Sequence, residues 1–512
     1  MPPFVSYRAL LTVSVAASAL GVASIKPTAA QTISYFKPGD IVIDTVSGST
    51  LDAASAITLT QFDLSANGRT ATGAGTLVLP QTASGANAAF SGEYGSASEG
   101  YLNLSANGQY LTMMGYGVNA NTFNTAPLST YGNAALGQTT SLTGGSVTTV
   151  PRVVALIGAN GSADTSTALT GVFNTNNPRA AATVDGTSFY VSGQGVTGDG
   201  TGGVFYATKG ATTATAINAN TTTPTGTASA NAATGTETRD IQIVNTGSGN
   251  QLQVSRDFSP SGTPNDSTDI RVLADAATGG LPTSGNIAAT RLTNLNTSSG
   301  KGGNTLGGNT SSINLTSTLV NGVNNSRVGK FVYLSPEAFY YANATTLYIA
   351  DSGAPKNGSA GAARLGEGGL QKWTLNAGVW TLAYDLVAGL NLVDNATANS
   401  ATPTAAGVTG LFGLTGMVVG GQVQLFATSY GLNEMSPSFL YEITDNLADT
   451  TITQVNAENG GAGETFATLY SAPLGTAIRG VSFTPAPEPA SIAVFGVGLL
   501  GAAIARRRRA RA

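Results

Sequence analysis

An all-β fold, arranged as a propeller of repeated four-stranded sheets, is the architecture that this 512-residue sequence predicts. Three observations point there. From Gln31 to Pro485 no stretch spaces its apolar residues as a helix would; they alternate, or cluster in short runs bounded by Gly, Asn, Asp and Ser. Asn67-Gly68, Asn107-Gly108, Asn160-Gly161 and Asp185-Gly186 sit between such runs and accept the positive φ of hairpin turns. A hairpin phrase also recurs at wide, uneven intervals along the chain.

The chain begins with an address. Arg8 is followed by the uncharged apolar run Ala9–Ala23, short for a membrane span, and then by small residues at Thr28-Ala29-Ala30. Residues 1–30 therefore read as a secretory signal, cut by signal peptidase near Gln31.

The strands come next. Asp40-Ile41-Val42-Ile43-Asp44, Thr76-Leu77-Val78-Leu79 and Val153-Val154-Ala155-Leu156-Ile157 are the clearest. The repeat is carried by Gly100–Thr112, Ala180–Ser192 and Asp240–Val254, each a strand of small residues, a turn and a second strand. Later copies are Leu347–Asp351 and Leu414–Val419 leading to Val423–Ala427. Small residues on an innermost strand suit a crowded central channel. The last strand, Gly480–Phe483, is placed to complete a blade begun by Ile41–Asp44, which hides two sheet edges. About seven blades are expected, with six or eight compatible with the length. A β-helix or a β-sandwich array is the alternative, and the uneven spacing argues against the former. Segments 211–236 and 296–316, nearly pure Thr, Asn, Ala, Gly and Ser, read as mobile loops inserted into blades. The domain plan is thus 1–30, 31–485 and 486–512.

Composition narrows the chemistry. There is no Cys and no His, only 10% charged residues and 7% aromatic ones. Disulfides, Cys/His zinc sites, thiolate nucleophiles and histidine bases are excluded. Outside the two terminal segments 16 basic residues face an acidic excess, with no basic stripe for nucleic acid.

The C-terminal end has three parts: Pro487-Glu488-Pro489-Ala490-Ser491, an apolar run from Ile492 to Ala505, and Arg506, Arg507, Arg508 and Arg509. Physically it is a rigid linker, a short transmembrane segment over 490–505 and a cationic stop that holds the end cytoplasmic. This tail resembles the PEP-CTERM sorting signal of Gram-negative bacteria. The resemblance implies an exosortase as processing partner, a transient inner-membrane anchor, and delivery to the cell surface or extracellular matrix. The body resembles a group of uncharacterised exported bacterial β-propellers, through Gly39-Asp40-Ile41-Val42, Glu99-Gly100, Gly369-Leu370-Gln371-Lys372-Trp373 and Arg479-Gly480-Val481. Leu347-Tyr348-Ile349-Ala350-Asp351-Ser352-Gly353 is similar to the strand-and-turn phrase of NHL-type propellers. These phrases imply a fold and no activity.

Three constellations could carry function. If the inner strands start where the repeat places them, Glu99, Arg179, Arg239, Asp240 and Arg479 converge at one channel mouth, with Phe412 breaking the ring. Such a set binds an anionic sugar or phosphate, or it locks blades together. Asp257, Asp266 and Asp269, with Asp275 nearby and Asp199 apart, offer hard oxygens for Ca²⁺, the one ion considered, or else a solvated loop. No cofactor is required. Trp373 and Trp380 flank the turn Asn376-Ala377-Gly378, near Phe339, Tyr340 and Tyr341; alternation sends at least one Trp into the core, and an exposed one would stack on a sugar.

The reading that follows is an exported surface or matrix propeller that binds or builds, with extracellular polysaccharide as the candidate partner. A divalent-metal propeller hydrolase or lactonase and an adhesive surface-layer protein are the alternatives. Three converging carboxylates in the channel would favour the enzyme; a mouth of Arg and Glu already neutralised would favour binding or structure.

Overall fold

The computed structural model describes residues 35–487, apart from 222–237, 259–266, 293–334, 354–367, 393–407, 432–435 and a handful of isolated positions. The signal segment 1–30, the insertion 296–316 and the tail from Glu488 onward lie outside the described residues.

Six antiparallel sheets stand in a ring. From the inside outward, the first blade runs Thr476–Phe483, Ile41–Ser47, Thr58–Leu64, Ala71–Val78. The third runs Pro178–Ala182, Ser188–Gly193, Asp199–Thr208, Thr215–Thr221. The fourth is Thr238–Asn245, Asn250–Phe258, Ser267–Leu273, Thr290–Arg291, and the fifth Pro336–Asn343, Thr346–Asp351, Gly369–Asn376, Val379–Leu386. The sixth is Val408–Val419, Gln422–Gly431, Phe439–Asn446, Ala467–Ser471. The second blade is a six-stranded variant in which Tyr110–Tyr116 takes Asn103–Leu104 at one end and Ser91–Glu93 at the other. Each inner strand packs on the next, and that of the sixth blade packs on that of the first. The ring is closed by the C-terminal strand, whose Phe483 pairs with Ile41 and Thr476 with Ser47. That pairing covers the edge that Ile41–Ser47 would otherwise present.

Glycine permits the tight axis. A Cβ at Gly480 would lie 2.5 Å from both Gly100 O and Leu102 N, and one at Gly410 would lie 2.0 Å from Asp351 O. Only a residue without a side chain lets backbone of the adjoining blade approach so closely.

Five of the inner strands carry an irregularity at one equivalent place. The register shifts around Arg179, Arg239-Asp240, Glu337-Ala338, Phe412-Gly413 and Arg479-Gly480, where the inner strand holds one residue more than its partner. Such a bulge strands a backbone N–H and re-aims a side chain. The residue facing the bulge takes up the N–H: Ser255 Oγ from Asp240 at 3.0 Å, Thr428 Oγ1 from Gly413 at 2.8 Å, and Asp44 Oδ1 from Gly480 at 2.6 Å. Hydroxyls at these positions also donate to the next blade. Ser192 reaches Arg239 O at 2.6 Å, Ser255 reaches Glu337 O at 2.5 Å, and Thr428 reaches Arg479 O. Ser255 and Thr428 thus each satisfy two buried backbone groups and stitch neighbouring blades together.

The inner strands all start at what we term the upper end. The long connections 117–151, 292–335, 352–368 and 387–407 join strand ends there. The chain leaves from the opposite, lower end, where Thr484 N donates to Asp40 O at 3.0 Å and Ala486 N to Gly108 O at 2.8 Å.

Six blades form, one of the counts compatible with the length, since connections such as 117–151 take up residues that a seventh would need. Two expectations need correction. Segment 211–236 is not loop throughout: Thr215–Thr221 is the outer strand of the third blade, and its Ile217, Asn218 and Ala219 are buried. Helices also occur, α1 (Ala120–Thr125), α2 (Leu128–Tyr131) and α3 (Ile452–Gly461). The signal for α3 was the capping pair Thr451 and Gln454, whose side chains meet at 2.8 Å.

Candidate functional site

The bulges bring a ring of side chains to the upper end of the axis. Arg179, Arg239, Glu337, Phe412 and Arg479 occupy the equivalent position on five inner strands. Three of the five residues that sequence reasoning proposed lie in this ring, Arg179, Arg239 and Arg479. Glu337 was missed. Its signal was the opening Pro336-Glu337-Ala338, which matches Pro178-Arg179-Ala180 in the third blade.

Glu337 is the hub. It is fully buried and holds Arg239 Nη1 through both oxygens, at 2.7 and 2.9 Å. Tyr101 from the second blade donates its hydroxyl to the same carboxylate, and Ser352 Oγ donates at 2.9 Å. Tyr101 also stacks on Phe412 at 4.4 Å between centroids, so four blades meet in one plug. Burial and the adjacent Glu337 charge drive the Tyr101 phenol well above its usual range. Arg179 donates to Gln194 Oε1 at 3.0 Å. Replacing Glu337 with Ala removes the partner charge of buried Arg239 and is expected to cost about 3–5 kcal/mol. Glu337→Gln, which keeps the shape, should cost less; denaturant unfolding of both variants checks this.

Glu99 and Asp240 take other places. Glu99 lies behind the ring, accepting from Tyr116 Oη, Asn177 Nδ2 and the Glu93 amide. Burial pushes its carboxyl above the usual range, and it pushes neighbouring Glu93 to about 9, helped by the Glu99 charge. Arg152 closes this pocket, fully buried, donating to the carbonyls of Val150 and Thr139 at 2.8 Å and lying 4.8 Å above the Tyr116 ring. Asp240 lies lower on the axis and accepts from Asn103 at 2.9 Å and Gln242 at 2.6 Å; burial raises it to about 6. Below it a cavity of about 210 Å³ takes residues from all six inner strands, among them Asn103, Thr183, Gln242, Tyr340, Thr415 and Ser482.

The described members of the acidic constellation do not gather as a metal site. Asp269 is fully buried and held by Arg271 Nε at 2.9 Å and Arg291 Nε at 2.7 Å, with Arg256 Nε 3.9 Å away. Those arginine charges outweigh the cost of burial and hold its carboxyl below the usual range. The three guanidinium charges around it oppose the approach of a metal ion. Asp257 stands on the strand Asn250–Phe258, Asp199 is exposed at the start of its strand, Asp275 bonds its own turn through Thr278, and Asp266 lies outside the described residues. Among the described residues no three His, Cys, Asp or Glu gather as a metal site.

Both tryptophans are core residues, 1% and 4% exposed, and neither offers a face to a sugar. They flank a turn with Ala377 at φ 50° and Gly378 at φ 80°. A last polar cluster joins the fifth and sixth blades. Buried Lys372 Nζ lies 2.8 Å from Asp445 Oδ2 and from Tyr384 Oη, and Tyr348 donates to Asp445.

Residues 485–509 match the family model described as the PEP-CTERM protein-sorting motif. No curated protein matches the chain. Among solved structures, it is similar to a protein of Bacteroides fragilis provisionally described as a 6-phosphogluconolactonase. The identity is 9% and the TM-score 0.35, over 87% of this chain and 98% of that one. Among the described residues no helix is long and apolar enough to cross a membrane, and the apolar run 490–505 lies outside them. The chain is a six-bladed, all-β propeller that carries a PEP-CTERM sorting motif directly behind its closing strand.

Proposed function

We propose that this protein is exported, held in the inner membrane by its tail, released by an exosortase, and then acts at the cell surface or in the extracellular matrix as a polysaccharide-binding propeller. The observation that carries the reading is the sorting motif at 485–509. Only Thr484, Pro485 and Ala486 separate the closing strand from Pro487, and Thr484 and Ala486 are bonded to the fold. From Pro487 to Ile492 an extended chain spans at most about 18 Å. The lower end would therefore sit close to the membrane during processing, with the upper end turned away.

Binding is favoured over hydrolysis by the state of the channel. Its Arg239 and Glu337 charges neutralise one another, and Tyr101 and Phe412 fill the space between blades. A metal-dependent hydrolase without histidine would need converging carboxylates, and Asp269 is instead bound by arginines.

Two measurements test the reading. In a host that carries an exosortase, the wild type should be released from the inner membrane, while a variant with Pro487, Glu488 and Pro489 all changed to Ala should stay there. Purified protein should gain thermal stability from polysaccharide, since a ligand of the native state stabilises it by mass action. A shift with Ca²⁺ alone, lost on Asp→Ala changes at 257 and 266, would instead revive the metal-dependent enzyme.

A further inference from the structure

A cleft of about 740 Å³ opens at the upper end, between residues 47–54 and the insertion 123–138 that carries α1 and α2. We propose that this cleft binds a segment of neutral glycan, with Asp52 and Gln138 taking its hydroxyls and Leu51 and Leu128 packing on the C–H faces of its rings. The proposal deepens the polysaccharide reading above and rests on it.

The walls are fixed before any ligand arrives. Asn124 grips the backbone of Ala54 twice, accepting from its N–H and donating to its C=O, each at 2.9 Å. Asp52 is bonded on both sides, its N–H to Tyr94 O at 2.7 Å and its C=O to Leu136 N at 2.9 Å. These bonds hold Asp52 at φ 67°, a left-handed conformation that few non-glycine residues adopt. Its side chain is exposed, and among the described residues no donor engages its carboxylate. A preformed wall lowers the entropy cost of binding.

The lining selects the ligand class. Hydroxyl and amide groups of Thr50 and Gln138 alternate with apolar Leu51 and Leu128, which are 39% and 62% exposed. Sugars present the same mixture of hydroxyl edges and apolar C–H faces. No Lys or Arg lines the cleft, and Asp52 is its only charged residue, which disfavours a phosphate or uronate. The volume falls within the range of small-ligand clefts. The position also fits: the cleft is at the opposite end from the one through which the tail leaves.

The test is calorimetric titration of the full chain in detergent with maltohexaose, cellohexaose, chitohexaose and polygalacturonate. We expect binding of at least one neutral hexaose. Asp52→Asn, which tolerates the left-handed conformation, should weaken it by about tenfold. The double change Leu128→Ala, Gln138→Ala should do the same, with melting temperatures unaltered because both side chains are exposed. Unchanged affinity in both variants would overturn the cleft assignment and leave the polysaccharide reading standing. Binding of polygalacturonate alone would overturn the neutral-glycan assignment. No binding to any of the four would overturn the cleft and count against the wider reading as well.

Discussion

Raising the pH from 5.5 to 8.5 is expected to destabilise the propeller by about 4 kcal/mol or more. The cause is a set of buried acids held neutral by the fold. Burial pushes Asp44 and Asp385 to about 8, and burial with a neighbouring carboxylate pushes Glu93 and Glu464 to about 9. In the unfolded chain these groups ionise near pH 4. Between that value and the folded one the native state holds more protons than the unfolded state. Stability is therefore full below about pH 4 for these groups and is lost as pH rises toward 8 or 9. Each retained proton is worth about 1.4 kcal/mol per pH unit up to the folded value, so one group at about 9 alone yields the stated loss over three units. Denaturant midpoints across the range check this, and a flat or rising profile would refute it.

Asp44 supplies the sharper test. It stands where the fourth and sixth blades use Ser255 and Thr428 to accept one backbone N–H and donate to the next blade. A carboxylate accepts but cannot donate; a carboxylic acid does both. Asp44→Thr should fold and show a shallower pH dependence than the wild type. An unchanged slope would mean that the groups responsible are elsewhere.

Gly480→Ala is expected to disrupt ring closure. Its Cβ would sit 2.5 Å from two backbone atoms of residues 100 and 102, which no side-chain rotation relieves. Overpacking of this kind typically costs about 1–3 kcal/mol, and more where backbone must move. Deleting Thr476–Phe483 should be worse. It uncovers the inner edge of the first blade and removes buried Ile478 and Val481 from their core cluster. Burial of one such side chain is worth about 1.5–3 kcal/mol. Loss of the single cooperative transition, seen by near-ultraviolet circular dichroism and light scattering, is the expected readout for the deletion. A soluble, cooperatively folding deletion variant would show that closure is dispensable.

Much of this was legible in the residues. Period-two alternation and Asn/Asp-Gly turns identified the strands, since both reflect local backbone geometry. The pairing of Ile41–Asp44 with Gly480–Phe483 followed from the need to hide two sheet edges, and the register Ile41 to Phe483 agrees. The tail was read from an ordered triple of rigid, apolar and cationic parts, which needs no fold to be recognised.

The candidate site was harder. Arg179, Arg239 and Arg479 could be placed because each lies near the start of an inner strand, yet Glu337 escaped because attention fell on the aromatics Phe339, Tyr340 and Tyr341 that follow it in the same strand. The acids at 257, 266 and 269 looked like a cluster because they are near in sequence. Arg256, Arg271 and Arg291 come from three different strands, and only sheet pairing puts them around Asp269. The sequence by itself determined the export address, the strand content and the closure of the ring, because these depend on local pattern and on the order of segments. The blade number, the Arg239–Glu337 pair in the channel and the cleft beside Asp52 were decided only by the tertiary structure, because each depends on which distant side chains meet and on what burial then does to their charge.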